Sequence, residues 1–346
     1  MLRGARIAGW GKYAPERILT NHDIERMVDT SDEWIVSRTG IRERRIVADH
    51  EGTASMALAA AREALCCAGV EGSSVELIIV ATVSPDYQFP AVACLLQAAL
   101  GARAGAFDLQ AGCSGFVYGL VTGYQFIQSG LYRRVLVVGA DTLSRVLDWT
   151  DRSTCVLFGD GAGAIYLEAT EGAGDFVTVA LGSEGQNPAA LYMDGVGRPK
   201  TGCADSDNGA DLVSMAGLPA LCEPARYVKM EGREVFRFAS RVLTDSVRQV
   251  VDAAGWTLDQ VGVIIPHQAN LRIIQSASKT LGVPIGKFFV NVDRFGNTSN
   301  GSVPVALCEA VEAGAIRPGS RVVLASFGAG LTWAATAVTW GSGARG

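Results

Sequence analysis

The sequence predicts an α/β fold in which one structural unit is used twice, giving two mostly parallel sheets with central helices buried between them. Three observations carry this. Helical and strand patterns alternate in the same order in both halves. The predicted helices stop at glycines. The chain is also apolar for its 346 residues, 49% hydrophobic against 19% charged, with a mean hydropathy of +0.22. That composition excludes a disordered chain and asks for a large dry interior.

The elements follow in order. Met1 to Trp10 alternates like a strand. Thr53–Ala68 is an alanine-rich helix with Gly69 beyond its last turn, and Val75–Val83 is a strand. Pro90–Leu100 is a helix with Pro in its first turn and Gly101 after it, and Ala104–Leu109 is a strand. Cys113–Ser129 is a helix stopped by Gly130, followed by strands at Arg134–Gly139 and Gly163–Glu168. The second half repeats the plan. Helices Gly232–Ala254, Asn270–Leu281 and Gly301–Ala313 end at Gly255, Gly282 and Gly314, and strands are predicted at Val261–Ile265, Lys287–Val292, Arg321–Ser326 and Thr332–Trp340. A glycine after a helix takes the left-handed conformation cheaply. The third helix of each unit is apolar for long stretches (Phe116, Val117, Leu120, Val121), as a helix between two sheets must be. The repeat divides the chain into residues 1–174 and 175–346.

Composition narrows the function. A net charge of −5 and a pI of about 5.4 argue against a nucleic-acid-binding body. His22, His50 and His267 lack metal-ligand spacing. Apolar runs reach about seven residues, far from the ~20 of a membrane span, and the N-terminus lacks the apolar core of a signal peptide. A cytoplasmic protein is expected. No CxxC pair occurs among the 8 cysteines, so most read as small buried hydrophobes in a reducing compartment.

Three residues just after predicted strands stand out, because ligands of α/β sheets bind beyond the carboxyl ends of strands. Cys113 lies in a Gly112-Cys113-Ser114-Gly115 turn opening a helix, where unpaired N–H groups and the helix dipole favour a thiolate. The alternative is a buried cysteine that merely begins a helix. His267 follows an apolar strand and precedes a helix capped by Asn270; a structural histidine is the alternative. Asn297 sits in a Gly-rich turn that an Asx-turn would also explain. On Gly232–Ala254, Arg233, Arg237, Arg241 and Arg248 fall within about 80° of one another. They form a basic stripe suited either to solvent or to an acidic partner.

Taken together, the motifs resemble β-ketoacyl-acyl carrier protein synthase III, the initiating condensing enzyme of bacterial type II fatty acid synthesis. The likeness covers nearly the whole chain: Ser31-Asp-Glu-Trp-Ile-Val-Ser-Arg-Thr-Gly-Ile41, Phe107 to Phe116, Phe158-Gly-Asp-Gly-Ala-Gly-Ala164, His267-Gln-Ala-Asn-Leu-Arg272, Gly296-Asn-Thr-Ser299 and Phe327-Gly-Ala-Gly330. It implies a duplicated thiolase-like fold, layered α-β-α-β-α. Cys113 would carry a starter acyl group from an acyl-CoA, and His267 and Asn297 would bind the malonyl thioester carbonyl. The backbone N–H groups of Cys113 and Ala329 would form the oxyanion hole. Trp34, Arg38, Arg152 and Asn270 would contact CoA. Gln268, Ala269, Asn270, Leu271, Arg272 and Arg237 would meet the acyl carrier protein. Phe158 would line the acyl pocket, and Phe89 would close the pocket of the partner in a homodimer. No metal or redox cofactor is implied.

The chain departs from the family in two places. Residues 185–229 form a longer stretch than in short members, including Gly202–Asp211, Cys203 and Cys222, so starter choice is open there. Asn300-Gly301 stands where many relatives carry small apolar residues. A starter enzyme of a polyketide or other specialised pathway would share the same triad. A catalytically silent partner subunit would not need it.

Overall fold

The structure, a computed structural model, describes residues 3–196 and 226–341. The Gly202–Asp211 loop, Cys203 and Cys222 lie outside the described residues.

The five-stranded first sheet runs β1 (Gly4–Tyr13), β5 (Asp160–Thr170), β4 (Arg134–Thr142), β2 (Leu77–Ala81) and β3 (Gly105–Leu109) across its width. The second sheet has four strands, β7 (Val263–Pro266), β8 (Arg321–Gly328), β9 (Thr332–Thr339) and β6 (Phe176–Ser183). Both sheets are mixed rather than mostly parallel. β2 is parallel to β3 and β4, and β7 to β8, while β1–β5, β4–β5, β8–β9 and β6–β9 are antiparallel. The parallel pairs involve strands returned by a helical crossover. Only residues 329–331 separate β8 from β9, which leaves room for a tight turn alone.

Helix α1 (Asp32–Thr39) lies near the site. Helices α2 (Thr53–Ala68) and α3 (Val92–Ala99) cover the outer face of the first sheet. Helices α5 (Gly232–Ala253) and α6 (Leu271–Leu281) cover the outer face of the second. Between the sheets lie α4 (Gly115–Gln128) and α7 (Ser302–Glu312), sharing one apolar core with both. The layering is therefore α-β-α-β-α, with the two central helices where the apolar patterns placed them. Close approach explains the glycine stripe on α4. A Cβ on Gly119 would lie 3.2 Å from Val137, and one on Gly123 would lie 3.0 Å from it, so bulk there would lift the helix off β4.

Local capping works partly between elements. α2 and α6 end on left-handed Gly69 and Gly282 as expected. Helix α3 starts at Val92 rather than Pro90, and its N-terminal amides are met from β3: the Asp108 carboxylate accepts from Val92 N and Ala93 N, both at 2.8 Å. The strand expected at Lys287–Val292 is reduced to a single parallel bridge between Phe288 and Ile264. The reason is Gln268, whose carboxamide donates to Phe289 O and accepts from Asn291 N, both at 3.0 Å. It takes up the backbone groups that a strand would present. Of the described cysteines, Cys66, Cys67 and Cys94 are exposed on outer helices and Cys113, Cys155 and Cys308 are buried, so fewer serve as core than expected.

Candidate active site

Cys113 lies two residues before α4, in the turn after β3, with Ser114 as the cap residue. Gly112 has φ +54°, which glycine alone adopts without penalty. The thiol is buried, and its sulfur accepts a hydrogen bond from Ser299 Oγ at 3.3 Å. Burial pushes the Cys113 thiol up to about 12; the Ser299 hydrogen bond pulls the other way, and the Asp141 carboxylate adds to the rise. This reverses the thiolate expected from the helix N-terminus, because removal from water outweighs the dipole. The resting nucleophile is a neutral thiol.

His267 immediately follows β7 and is 1% exposed. Its backbone N donates to Ala325 O at 2.8 Å, and its ring meets Phe327 edge-on at 5.1 Å. Burial lowers its pKa to about 3, so the imidazole is neutral and carries one N–H donor. Nδ1 has no hydrogen-bond partner among the described residues. Asn297 follows Gly296 and is held by its backbone: its N donates to Leu157 O at 2.9 Å, and its O accepts from Gly159 N at 3.0 Å. Oδ1 accepts from Ser299 N at 2.9 Å. That bond fixes the amide orientation and leaves Nδ2 as a donor without a partner among the described residues.

The two backbone amides assigned to an oxyanion hole are brought together by facing glycines. A Cβ on Gly112 would lie 2.5 Å from Ala329 N, and one on Gly328 would overlap Cys113 N. Thr332, which the sequence reading did not single out, ties the two turns together. Its Oγ1 donates to Ala111 O at 2.8 Å and lies 2.8 Å from Ser114 Oγ.

Two cavities meet at Cys113, Phe158 and Leu191. One, of about 190 Å³, is also lined by Trp34, Arg38, Arg152, His267, Asn270 and Asn297. The other, of about 370 Å³, has an apolar wall of Val83, Leu143, Val146 and Leu191. At the mouth of the first, the Arg152 guanidinium lies over the Trp34 ring at 5.1 Å. Asn270 caps α6 and donates to Arg38 O at 3.1 Å, tying α6 to α1.

The remaining assignments divide. Arg272 is exposed and sits over Phe236, which lines the first cavity. Arg237 is exposed and pairs with Glu234 at 3.2 Å, while Arg241 pairs with Glu184 at 2.6 Å, so the stripe is partly neutralised. Ala269 lines the first cavity. Gln268 is 1% exposed and, as described, completes the backbone near Phe289, so its side chain is not a surface contact. Leu271 packs on Gly40, where a Cβ would come within 2.5 Å of it; it joins α6 to α1. Phe89 is 84% exposed and lines neither cavity of its own chain.

Comparison with known proteins identifies the family. The family model described as 3-Oxoacyl-[acyl-carrier-protein (ACP)] synthase III matches residues 107–185, and its C-terminal counterpart matches residues 251–340. The beta-ketoacyl-[acyl-carrier-protein] synthase III of Symbiobacterium thermophilum is 50% identical over 345 residues, covering 98% of this chain and 99% of the relative. A Bacillus anthracis relative of the same description is 46% identical over 336 residues, covering 97% and 98%. The crystal structure of the Thermus thermophilus synthase III superposes with a TM-score of 0.88 at 44% identity, covering 98% of this chain and all of that one. The duplicated thiolase-like fold is shared with these structures, and the chain belongs to the 3-oxoacyl-acyl-carrier-protein synthase III family.

Proposed function

We infer that the protein initiates fatty acid synthesis by condensing a starter acyl-CoA with malonyl-acyl carrier protein. The observation that carries this reading is the convergence of Cys113, His267, Asn297 and two backbone amides where two cavities meet. In the first half-reaction the Cys113 sulfur attacks the acyl-CoA thioester carbonyl. The oxyanion lies between the amides of Cys113 and Ala329, and the thiol proton leaves with CoA. The second cavity takes the acyl chain. In the second half-reaction malonyl-carrier protein loses CO2. The enolate oxygen that develops accepts from the His267 N–H and from Asn297 Nδ2. A neutral histidine suits this, since it donates without holding a counter-ion to the carboxylate that must leave. The enolate carbon then attacks acyl-Cys113, forms the β-ketoacyl thioester and expels the Cys113 thiolate, which regains a proton from water. Atoms and charges balance without a metal or redox cofactor.

Trp34, Arg152 and Arg38 form the rim that receives CoA: a flat indole beside two guanidiniums matches a base and its phosphates. Arg233, Arg237 and Arg272 offer the acidic carrier protein its landing face. The exposed Phe89 fits a homodimer in which it reaches the partner's acyl cavity. The cytoplasm is the fitting compartment for these substrates.

The test is reconstitution. The protein with a starter acyl-CoA and malonyl-carrier protein should yield β-ketoacyl-carrier protein and free CoA in equal amounts. No product with any acyl-CoA in a panel of straight and branched starters contradicts the reading.

A further inference from the structure

Ser299 holds a conformation its residue type disfavours. Its φ is +49°, and among the described residues it is the one non-glycine with positive φ. Such strain persists only where the surroundings impose it. The Ser299 backbone is held on both sides: Asn297 Oδ1 accepts from Ser299 N at 2.9 Å, and the next residue, Asn300, is held by Asp141, a wholly buried carboxylate at the end of β4. Asp141 Oδ1 accepts from Thr82 Oγ1, Val83 N, Ser84 N and Ser84 Oγ. Its Oδ2 accepts from Asn300 N at 3.1 Å and Asn300 Nδ2 at 2.8 Å. Asn300 in turn accepts from Phe116 N through Oδ1 at 3.0 Å. It thereby supplies to α4, from the other half of the chain, the cap that Ser114 does not make. The turn carrying Ser299 is thus clasped to the first sheet and to the first turn of the helix behind Cys113. The clasp leaves the Ser299 hydroxyl, 1% exposed as a residue, donating to Cys113 Sγ.

We propose that Ser299 is a further catalytic residue, whose hydroxyl stabilises the Cys113 sulfur when it is anionic, and that Asn300 and Asp141 position it. The sulfur carries the charge twice per turnover, as it attacks the starter thioester and as condensation expels it. Ser299 keeps its own proton throughout and donates a hydrogen bond that a charged acceptor strengthens. The other ionisable groups facing the sulfur are Asp141, whose charge opposes the thiolate, and neutral His267 across the first cavity. In a site this dry the donor matters most, since water cannot replace it.

The proposal rests on the condensing reading for its substrates, but its test uses none of them. Alkylation of Cys113 by iodoacetamide is followed against pH by peptide mass spectrometry, which separates it from exposed Cys66, Cys67 and Cys94. Ser299→Gly removes the hydroxyl while accepting the positive φ, so it folds even if Ser299→Ala does not. The expected result is a Cys113 alkylation rate roughly tenfold lower near neutral pH, about one pKa unit, with Cys94 alkylation unchanged. Asn300→Ala should lower the rate in the same direction by a smaller factor. A folded Ser299→Gly protein whose Cys113 reacts at the wild-type rate, or faster, overturns the proposal. Failure of the condensation itself would appear instead as a wild-type Cys113 that alkylates normally but accepts no acyl group.

Discussion

Phe158 and Asn297 form a single parallel β-bridge. One residue walls both cavities and the other lines the first, so this bridge holds the two cavities in register across the two halves of the chain. Asn297→Asp keeps an acceptor for Ser299 N but replaces the free donor with a carboxylate oxygen. Condensation should fall by about 10²–10³, the size of a lost oxyanion donor, while acyl-Cys113 still forms. Steady-state condensation beside intact-mass acylation checks this; equal losses in both contradict the assignment.

Gly328 has no room for a side chain, because its Cβ would overlap Cys113 N. Gly328→Ala should force the two amides apart. The expected cost is about 1–3 kcal/mol of stability together with slower acylation of Cys113. Thermal unfolding and single-turnover acylation measure the two effects. An unchanged acylation rate would separate these amides from the oxyanion.

His267 is buried neutral, with its pKa lowered to about 3. The unfolded chain binds this proton below about pH 6.5 and the folded chain does not. Stability contributed by the neutral ring is therefore complete above pH 6.5 and is lost as pH falls toward 3, by up to about 1.4 kcal/mol per unit. Urea unfolding of wild type and His267→Gln at about pH 7 and about pH 5 tests the sign. The variant should lose less stability between them, and a wild type no more acid-sensitive than the variant contradicts it.

Arg237 and Arg272 are both exposed, the first paired with Glu234 and the second over Phe236, which lines the first cavity. Changing both to Glu should raise the carrier-protein KM, more strongly at low salt, and spare acyl transfer from CoA to Cys113. Unchanged carrier-protein kinetics contradicts the docking face.

Much of this was legible in the sequence because it is local. Gly69 and Gly282 mark helix ends through their own backbone, and Cys113 and His267 follow strands whose apolar runs are plain. What was not legible depends on contacts between distant segments. β6 is a short alternating stretch, Phe176–Ser183, whose pairing partner β9 lies more than 150 residues on. The strand expected at Lys287–Val292 gives way because a single carboxamide, Gln268, substitutes for its neighbour. Cys113 reads as a thiolate from its place before α4, and only the burial around it shows that the thiol is neutral. Ser299 closes the Gly296-Asn-Thr-Ser299 motif without a role read from it, and Thr332 and Asp141 carry no motif signal; all three matter because the two halves close on one another.

The central claim is that Cys113 carries the acyl group. Its most direct test is intact-mass measurement after incubation with a panel of acyl-CoAs. The mass should rise by one acyl group with at least one of them, the adduct should map to the peptide containing Cys113, and Cys113→Ser should abolish it. No adduct with any acyl-CoA, or an adduct that persists in the Cys113→Ser protein, would contradict the account.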